Sequence, residues 1–192
     1  MTPKQRLYAT IAGQERDRSA VAPIFMMWAA HRVGHTYRDY YLDARVLADA
    51  QLAVARRFAL DQVMSISDPW REAEAFGVVL DYPEEGVGIP QSRPLQSSDD
   101  ARRLTVPELR SATRMMDRVE AVRLLAGAVG ATHSVLGWVE GPVAEYEDLR
   151  GMEGTMLDLI DAPDAFSAAA EVLVANAVQF ARAQVDAGAD MI

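Results

Sequence analysis

Three short polar segments carry the side chains best able to do chemistry, and each follows directly on an apolar run. The first supplies Trp28, His31, Arg32 and His35. His31 and His35 would share one face if the segment were helical, a spacing compatible with a metal pair. No Glu follows His31 and no third ligand is in view, so surface or hydrogen-bonded histidines are the plainer reading. The second segment is Ser67-Asp68-Pro69-Trp70. Asp68 reads either as a helix N-cap, worth about 0.5–2 kcal/mol, or as a carboxylate at a strand end aimed into a pocket. The third runs from Gly137 to Pro142 and is followed by Tyr146. Gly141-Pro142 alone marks a turn and a helix start, and Tyr146 alone reads as a packed aromatic with a hydrated hydroxyl. No phosphate-cradling loop, dinucleotide fingerprint or Ser/His/Asp order is present.

The elements that must position these segments alternate. A first helix is punctuated by Thr2 as N-cap, Pro3 at the first helical position and Gly13 past its end. The run Val21 to Trp28 is apolar on both faces, as a strand covered on both sides would be. A helix follows from Asp43 to about Phe58, then a short strand Gln62 to Ile66, then a helix opened by Asp68-Pro69 and stopped at Gly77. Residues 78–95 hold Pro83, Gly86, Gly88, Pro90 and Pro94 and read as a β-hairpin inserted into the main repeat. Helical segments at 99–104 and 109–128 lead to a third strand at Thr132 to Val139. Beyond it lie a helical region broken near Gly151 and Gly154, a long helix from Ala162-Pro163 to about Ala187, and a fourth strand opening at Ala189 to Ile192. The predicted class is α/β with a parallel sheet. Four strands cannot close a barrel, which typically takes about 250 residues, so the choice lies between a small open sheet and the front half of a barrel.

Composition narrows the chemistry. The 192 residues include 19 Lys+Arg and 28 Asp+Glu, a formal charge of −9, half of them are apolar, and there is no cysteine. A thiolate nucleophile, a disulfide framework, an iron–sulfur cluster and a Cys-type zinc site are therefore excluded within these residues. The acidic balance argues against a nucleic-acid surface. No window reaches the roughly 18 uncharged apolar residues of a membrane span, and the N-terminus shows no signal peptide, so a cytoplasmic location is expected.

Taken together, the strand-end segments resemble the uroporphyrinogen decarboxylase superfamily. The similarity lies in the charged turn Gly13 to Arg18 before Ala22-Pro23-Ile24-Phe25-Met26-Met27, in the strand ending Ser67-Asp68, in Gly137 to Pro142 with Tyr146 beyond, and in the closing Ala187-Gly188-Ala189-Asp190. The resemblance implies a (β/α)8 TIM barrel, of which residues 1–192 would be about the first half of a single domain, with the 78–95 hairpin inserted. It also implies an enzyme, either a decarboxylase of tetrapyrrole acetate side chains or a methyltransferase working with a corrinoid. At the positions of the family's site stand Asp68 and Tyr146, as catalytic groups, with Trp28, His31, Arg32, Trp70 and Gly141 toward the substrate.

One departure separates those two activities. Trp28-Ala29 stand where the decarboxylases carry the first arginine and the glutamine of an Arg-Gln-Ala-Gly-Arg segment, His31 replaces its glycine, and Arg32 matches its second arginine. Arginine suits a polycarboxylate substrate, whereas tryptophan offers a flat apolar surface suited to a corrin face or methyl donor. The expectation is a methyltransferase-like member, with the decarboxylase proper and an inactive half-barrel subunit as alternatives. Its partners would be a small-molecule or tetrapyrrole substrate and a corrinoid (cobalamin) protein, with a homodimer left open and neither nucleic acid nor membrane involved. No cofactor is expected to be held by this chain alone, and zinc only through residues beyond Ile192.

Overall fold

The structure is a computed structural model and describes residues 1–192. Helix α1 (Pro3–Ile11) begins as the sequence requires. The Thr2 hydroxyl accepts the Gln5 N–H at 3.2 Å, and the Gln5 side chain accepts the Thr2 N–H at 2.9 Å. The chain leaves α1 through Gly13 at φ +66° and returns to it through a buried charge knot. Asp61 is fully buried and accepts from Arg6 Nη1 (2.5 Å), Arg18 Nη1 (2.6 Å) and the Val21 N–H (2.7 Å). One carboxylate thus ties α1, the charged turn and the segment that follows it.

The run at 21–28 does not form the expected strand. Residues 21–26 are irregular, Val21 and Ile24 are exposed, and Trp28 lies on helix α2 (Met27–Arg32). The physical reason is visible in the backbone pairing. Pro23 has no N–H to give a ladder, and the neighbouring strand reaches this segment only through Asp61 N to Val21 O, 2.9 Å. Side chains hold it instead, with Gln51 Nε2 (2.8 Å) and the Tyr40 hydroxyl (3.2 Å) both donating to Phe25 O.

Helices α3 (Tyr37–Leu42) and α4 (Ala44–Phe58) follow, the latter capped by Asp43 through the Arg45 N–H at 2.7 Å. Strand β1 (Gln62–Met64) leads through the short α5 (Trp70–Ala73) and a further helical turn to Gly77, at φ +103°. Strands β2 (Val79–Asp81) and β3 (Ile89–Ser92) pair antiparallel as a separate hairpin. The chain returns through α6 (Ser98–Ala101) and α7 (Thr113–Val129) to β4 (Ser134–Leu136). β4 lies parallel to β1 in the register Gln62↔Ser134, Val63↔Val135, Met64↔Leu136. Helices α8 (Pro142–Arg150) and α9 (Met152–Asp161) separate at Gly151, φ +84°, while Gly154 lies inside α9 and breaks nothing. Helix α10 (Pro163–Asp186) then brings Met191 alongside Leu136 in a single parallel bridge. The predicted parallel repeat is therefore realised as two paired strands and one bridge.

The main core lies where α2, α3, α4 and α7 cover β1 and β4, around Tyr40, Leu47, Val63, Leu125 and Val135. A second core joins α5, α8 and α10 around Trp70, Tyr146 and Leu173. Fully buried Gln184 links α10 to both strand ends, donating to Trp138 O and accepting from the Ser65 hydroxyl and the Trp138 N–H, all at 2.9 Å. No helix is long and apolar enough to cross a membrane. Asp61→Asn is expected to lower stability by about 2–3 kcal/mol, because two guanidinium groups lose their shared counter-charge. A urea unfolding midpoint equal to that of the parent chain would show that the knot contributes little.

Candidate active site

The ends of β1 and β4 bring the second and third polar segments together. Asp68, 4% exposed, is held by three donors: the Trp70 N–H on Oδ1 (3.0 Å), the Ser67 hydroxyl on Oδ2 (2.7 Å), and Arg114 Nη2, also on Oδ2. One oxygen of Asp68 therefore takes the first N–H of α5, as a cap would, while the other is ion-paired in the interior. Arg71 donates to the Asp68 carbonyl, contacts Glu72 at 3.0 Å and reaches Glu140 Oε1 at 2.9 Å. The Glu140 N–H donates back to Glu72 at 3.0 Å, closing a web across the two strand ends. The first segment is joined more loosely. The Tyr37 hydroxyl donates to Ser67 O at 2.5 Å and lies 3.7 Å from Met26 Sδ, directly before α2.

The remaining residues singled out from the sequence are dispersed. Trp28 stacks with Phe25 (5.1 Å) and Phe58 (5.6 Å), with the Arg32 guanidinium 5.7 Å from its ring, beside a cavity of about 180 Å³. His31 pairs with Glu85 at 2.9 Å, and His35 lies 3.7 Å from Asp39. The shared helix face expected for these histidines does not exist, because α2 ends at Arg32 and Gly34, at φ +82°, turns the chain. No grouping of three or more His, Cys, Asp or Glu side chains can hold a metal. The residues present therefore do not fit a zinc ion. Gly141 is the N-cap of α8, with open space where a Cβ would lie. Tyr146 is fully buried, and its hydroxyl donates to Asp158 Oδ2 at 2.8 Å, the same oxygen that Arg150 Nε reaches at 2.8 Å. No hydrogen bond links it to Asp68.

Several buried charges escaped the sequence reading: Arg71, Glu72, Arg114, Glu145 and Asp148. Arg71 and Arg114 line a cavity of about 330 Å³ shared with Glu74, Ser111 and Thr113, which places it directly behind the guanidinium that holds Asp68. Glu145, 4% exposed, has neither carboxyl oxygen hydrogen-bonded within the chain. Burial, then repulsion from Glu72 and Asp148, pushes it well above the usual carboxylate range. Burial raises Glu72 to about 7, against the pull of Arg71, and raises Asp148 to about 7 with repulsion from Glu147. These positions carried no local signal beyond an acidic residue on a helix, because what distinguishes them is the neighbour on another element.

The linkage has a definite sign. An unfolded Glu releases its proton near about pH 4.3, whereas folded Glu145 still holds one at higher pH. Its contribution to stability is full below that value and is lost as pH rises through the folded pKa. Glu145→Gln, neutral at every pH, should flatten the fall in the urea midpoint between about pH 4.3 and 7; a slope identical to the parent's would refute the assignment. Tyr146→Phe should cost about 0.5–1.5 kcal/mol, the value of one hydrogen bond. A loss of turnover well beyond that loss of stability would give the hydroxyl a catalytic role.

Comparison with known proteins accounts for this arrangement. The family model for uroporphyrinogen decarboxylase matches residues 2–192. The uroporphyrinogen decarboxylase of Rhodospirillum rubrum is 30% identical over 189 residues, covering 88% of this chain and 52% of that protein. The methylcobamide:CoM methyltransferase of Methanosarcina barkeri is 26% identical, covering 100% of this chain and 57% of its own length. A solved methyltransferase from Methanosarcina mazei superposes with a TM-score of 0.84 at 22% identity, over 99% of this chain and 57% of that one. The chain thus spans about half the length of the relatives it matches, and its fold is the corresponding part of a TIM barrel. With the family model matched from Thr2 to Ile192, the chain belongs to the uroporphyrinogen decarboxylase family.

Proposed function

We propose that the chain is the N-terminal part of a single barrel domain in a methyltransferase-like enzyme of this family, exchanging methyl groups with a corrinoid partner. The observation that carries this reading is the occupancy of the buried arginines. Arg71 is bound by Glu72, Glu140 and the Asp68 carbonyl, Arg114 by Asp68 and Glu74, and Arg118 by Asp117 and the Tyr40 carbonyl. A polycarboxylate such as uroporphyrinogen needs guanidinium groups free to clamp it. Here each buried guanidinium already serves this chain's own acids, and Glu72, Glu145 and Asp148 stand close behind.

An uncharged, flat ligand fits the surroundings better. Trp28 presents 44% of its surface beside Phe25 and Phe58, an apolar plate against which a corrin ring or methyl donor would lose water favourably. In this reading Trp28 and Arg32 form the approach, and Asp68 is the fixed negative charge facing the reacting centre. Tyr146 supports α8 through Asp158. Such an enzyme would work in the cytoplasm with a corrinoid protein and a small-molecule methyl donor or acceptor, and would be independent of nucleic acid.

Titration with cobalamin and, separately, with a porphyrinogen analogue, followed by difference spectroscopy and calorimetry, tests this reading. Cobalamin binding that weakens at least about ten-fold in Trp28→Ala, equivalent to about 1.4 kcal/mol, is the expected result. Porphyrinogen binding without cobalamin binding would instead support the decarboxylase. Asp68→Asn should keep the α5 cap, since Asn caps about as well, but will not be neutral for stability, because Arg114 loses one of its two counter-ions and keeps only Glu74.

A further inference from the structure

Tyr82 directly follows β2 on the inserted hairpin, yet it reaches the centre of the site. Its ring centroid lies 5.8 Å from the Arg114 guanidinium, and its hydroxyl lies 3.4 Å from Arg114 Nη1. Tyr41, on α3, contributes a second ring 5.4 Å from the same guanidinium, and the two rings are 5.8 Å apart. Arg114 Nη1 donates to Glu74 at 2.8 Å, while Nη2 donates to Asp68. A planar guanidinium directs both of its forks from one plane. Aromatic rings beside that plane fix it, and with it the direction from which Asp68 Oδ2 is held.

The hairpin is fastened where Tyr82 requires it. The Tyr41 hydroxyl donates to Pro83 O (3.2 Å), the Arg38 N–H donates to Glu84 O (3.1 Å), and His31 Nε2 meets Glu85 Oε2 (2.9 Å). Just before β3, Gly88 is pressed against the site, since a Cβ there would lie 3.3 Å from Trp70 and 3.6 Å from Tyr82. Contacts from α2, α3 and α5 therefore converge on residues 82–88, and His31 serves as one of the fastenings.

We propose that Tyr82 is a positioning residue for Asp68, acting through Arg114, so that docking of the 78–95 hairpin completes the catalytic carboxylate. The functional consequence rests on Asp68 being the working group of the proposed enzyme, but the positioning itself can be read without any ligand. The Trp70 N–H donates to Asp68 Oδ1, so its backbone 15N–1H resonance reports the orientation of that carboxylate.

The test compares Tyr82→Ala, Tyr82→Leu, Tyr82→Phe and, as a hairpin control, Val79→Ala, an exposed position on β2. Tyr82→Leu keeps bulk without a π face and replaces the alanine variant if that one does not fold. Trp70 should move in the alanine and leucine variants toward its position in Asp68→Ala, and should stay in place in Tyr82→Phe and Val79→Ala. Cobalamin affinity should fall about ten-fold in the first two variants and stay within about two-fold in the others, on the scale of a cation–π contact. A Trp70 resonance unmoved by Tyr82→Leu, or moved equally by Val79→Ala, overturns the proposal. If the parent chain binds no cobalamin while Trp70 still moves, the positioning role stands and the functional reading falls. If cobalamin binds equally to all variants and Trp70 is unmoved, the reverse holds.

Discussion

Charge buried at the carboxyl ends of β1 and β4 is the constraint on which the rest of this structure depends. Two guanidinium groups, Arg71 and Arg114, sit in the interior with almost no exposed surface. A buried ion is tolerated only when paired and hydrogen-bonded. Their partners come from separate stretches of chain: Asp68 after β1, Glu72 and Glu74 from the helical turns that follow, and Glu140 after β4. Satisfying the two cations therefore requires β1, β4, α5 and α7 to be assembled together. The hydrophobic clusters on either side give the driving force, but they would tolerate small shifts in register. The ion web would not.

That web carries more acid than base, and the surplus shapes the site. Glu145 approaches Glu72 and Asp148 from α8 with no hydrogen-bonding partner of its own, so burial favours its protonated form. The contrast with Asp61 is instructive. There a single carboxylate is matched by two arginines and a backbone N–H, and the hydrogen bonds outweigh its burial to hold it below the usual range. One arrangement is an anchor whose charges are saturated; the other is a carboxyl buried without a partner.

Peripheral elements then set how exposed the site is. The hairpin of β2 and β3 interrupts the alternation of strand and helix and contributes nothing to the parallel pairing. Its tip is nevertheless bonded to α2 and α3, and its Tyr82 lies against Arg114. The aromatic plate of Phe25, Trp28 and Phe58 lies on the other side of Tyr37 and Tyr40, whose hydroxyls reach Ser67 O and Ile66 O at the end of β1. The Tyr40 hydroxyl thereby bridges the segment before α2 and the end of β1.

Much of the architecture was legible in the sequence by itself, because it is written in short-range terms. Thr2-Pro3 and Asp43 start helices and Gly13, Gly77 and Gly151 end them through local backbone geometry alone. The apolar runs at 62–66 and 132–139 became paired strands, and Asp68 was identified from its place after the first of these. The run at 21–28 was misread, because apolar character on both faces cannot tell a strand from an irregular segment leading into a helix. Tertiary structure alone decided which charges would meet. Nothing near Arg71, Arg114 or Glu145 in the chain marks them, and the pairings that join distant elements span 40 positions for Arg114 and Glu74, 46 for Arg114 and Asp68, and 69 for Arg71 and Glu140. Local patterns determine elements, since a cap or a turn involves neighbours in sequence. A buried ion pair exists only once distant elements have excluded water together, and so the chemistry of this site appears only in the folded chain.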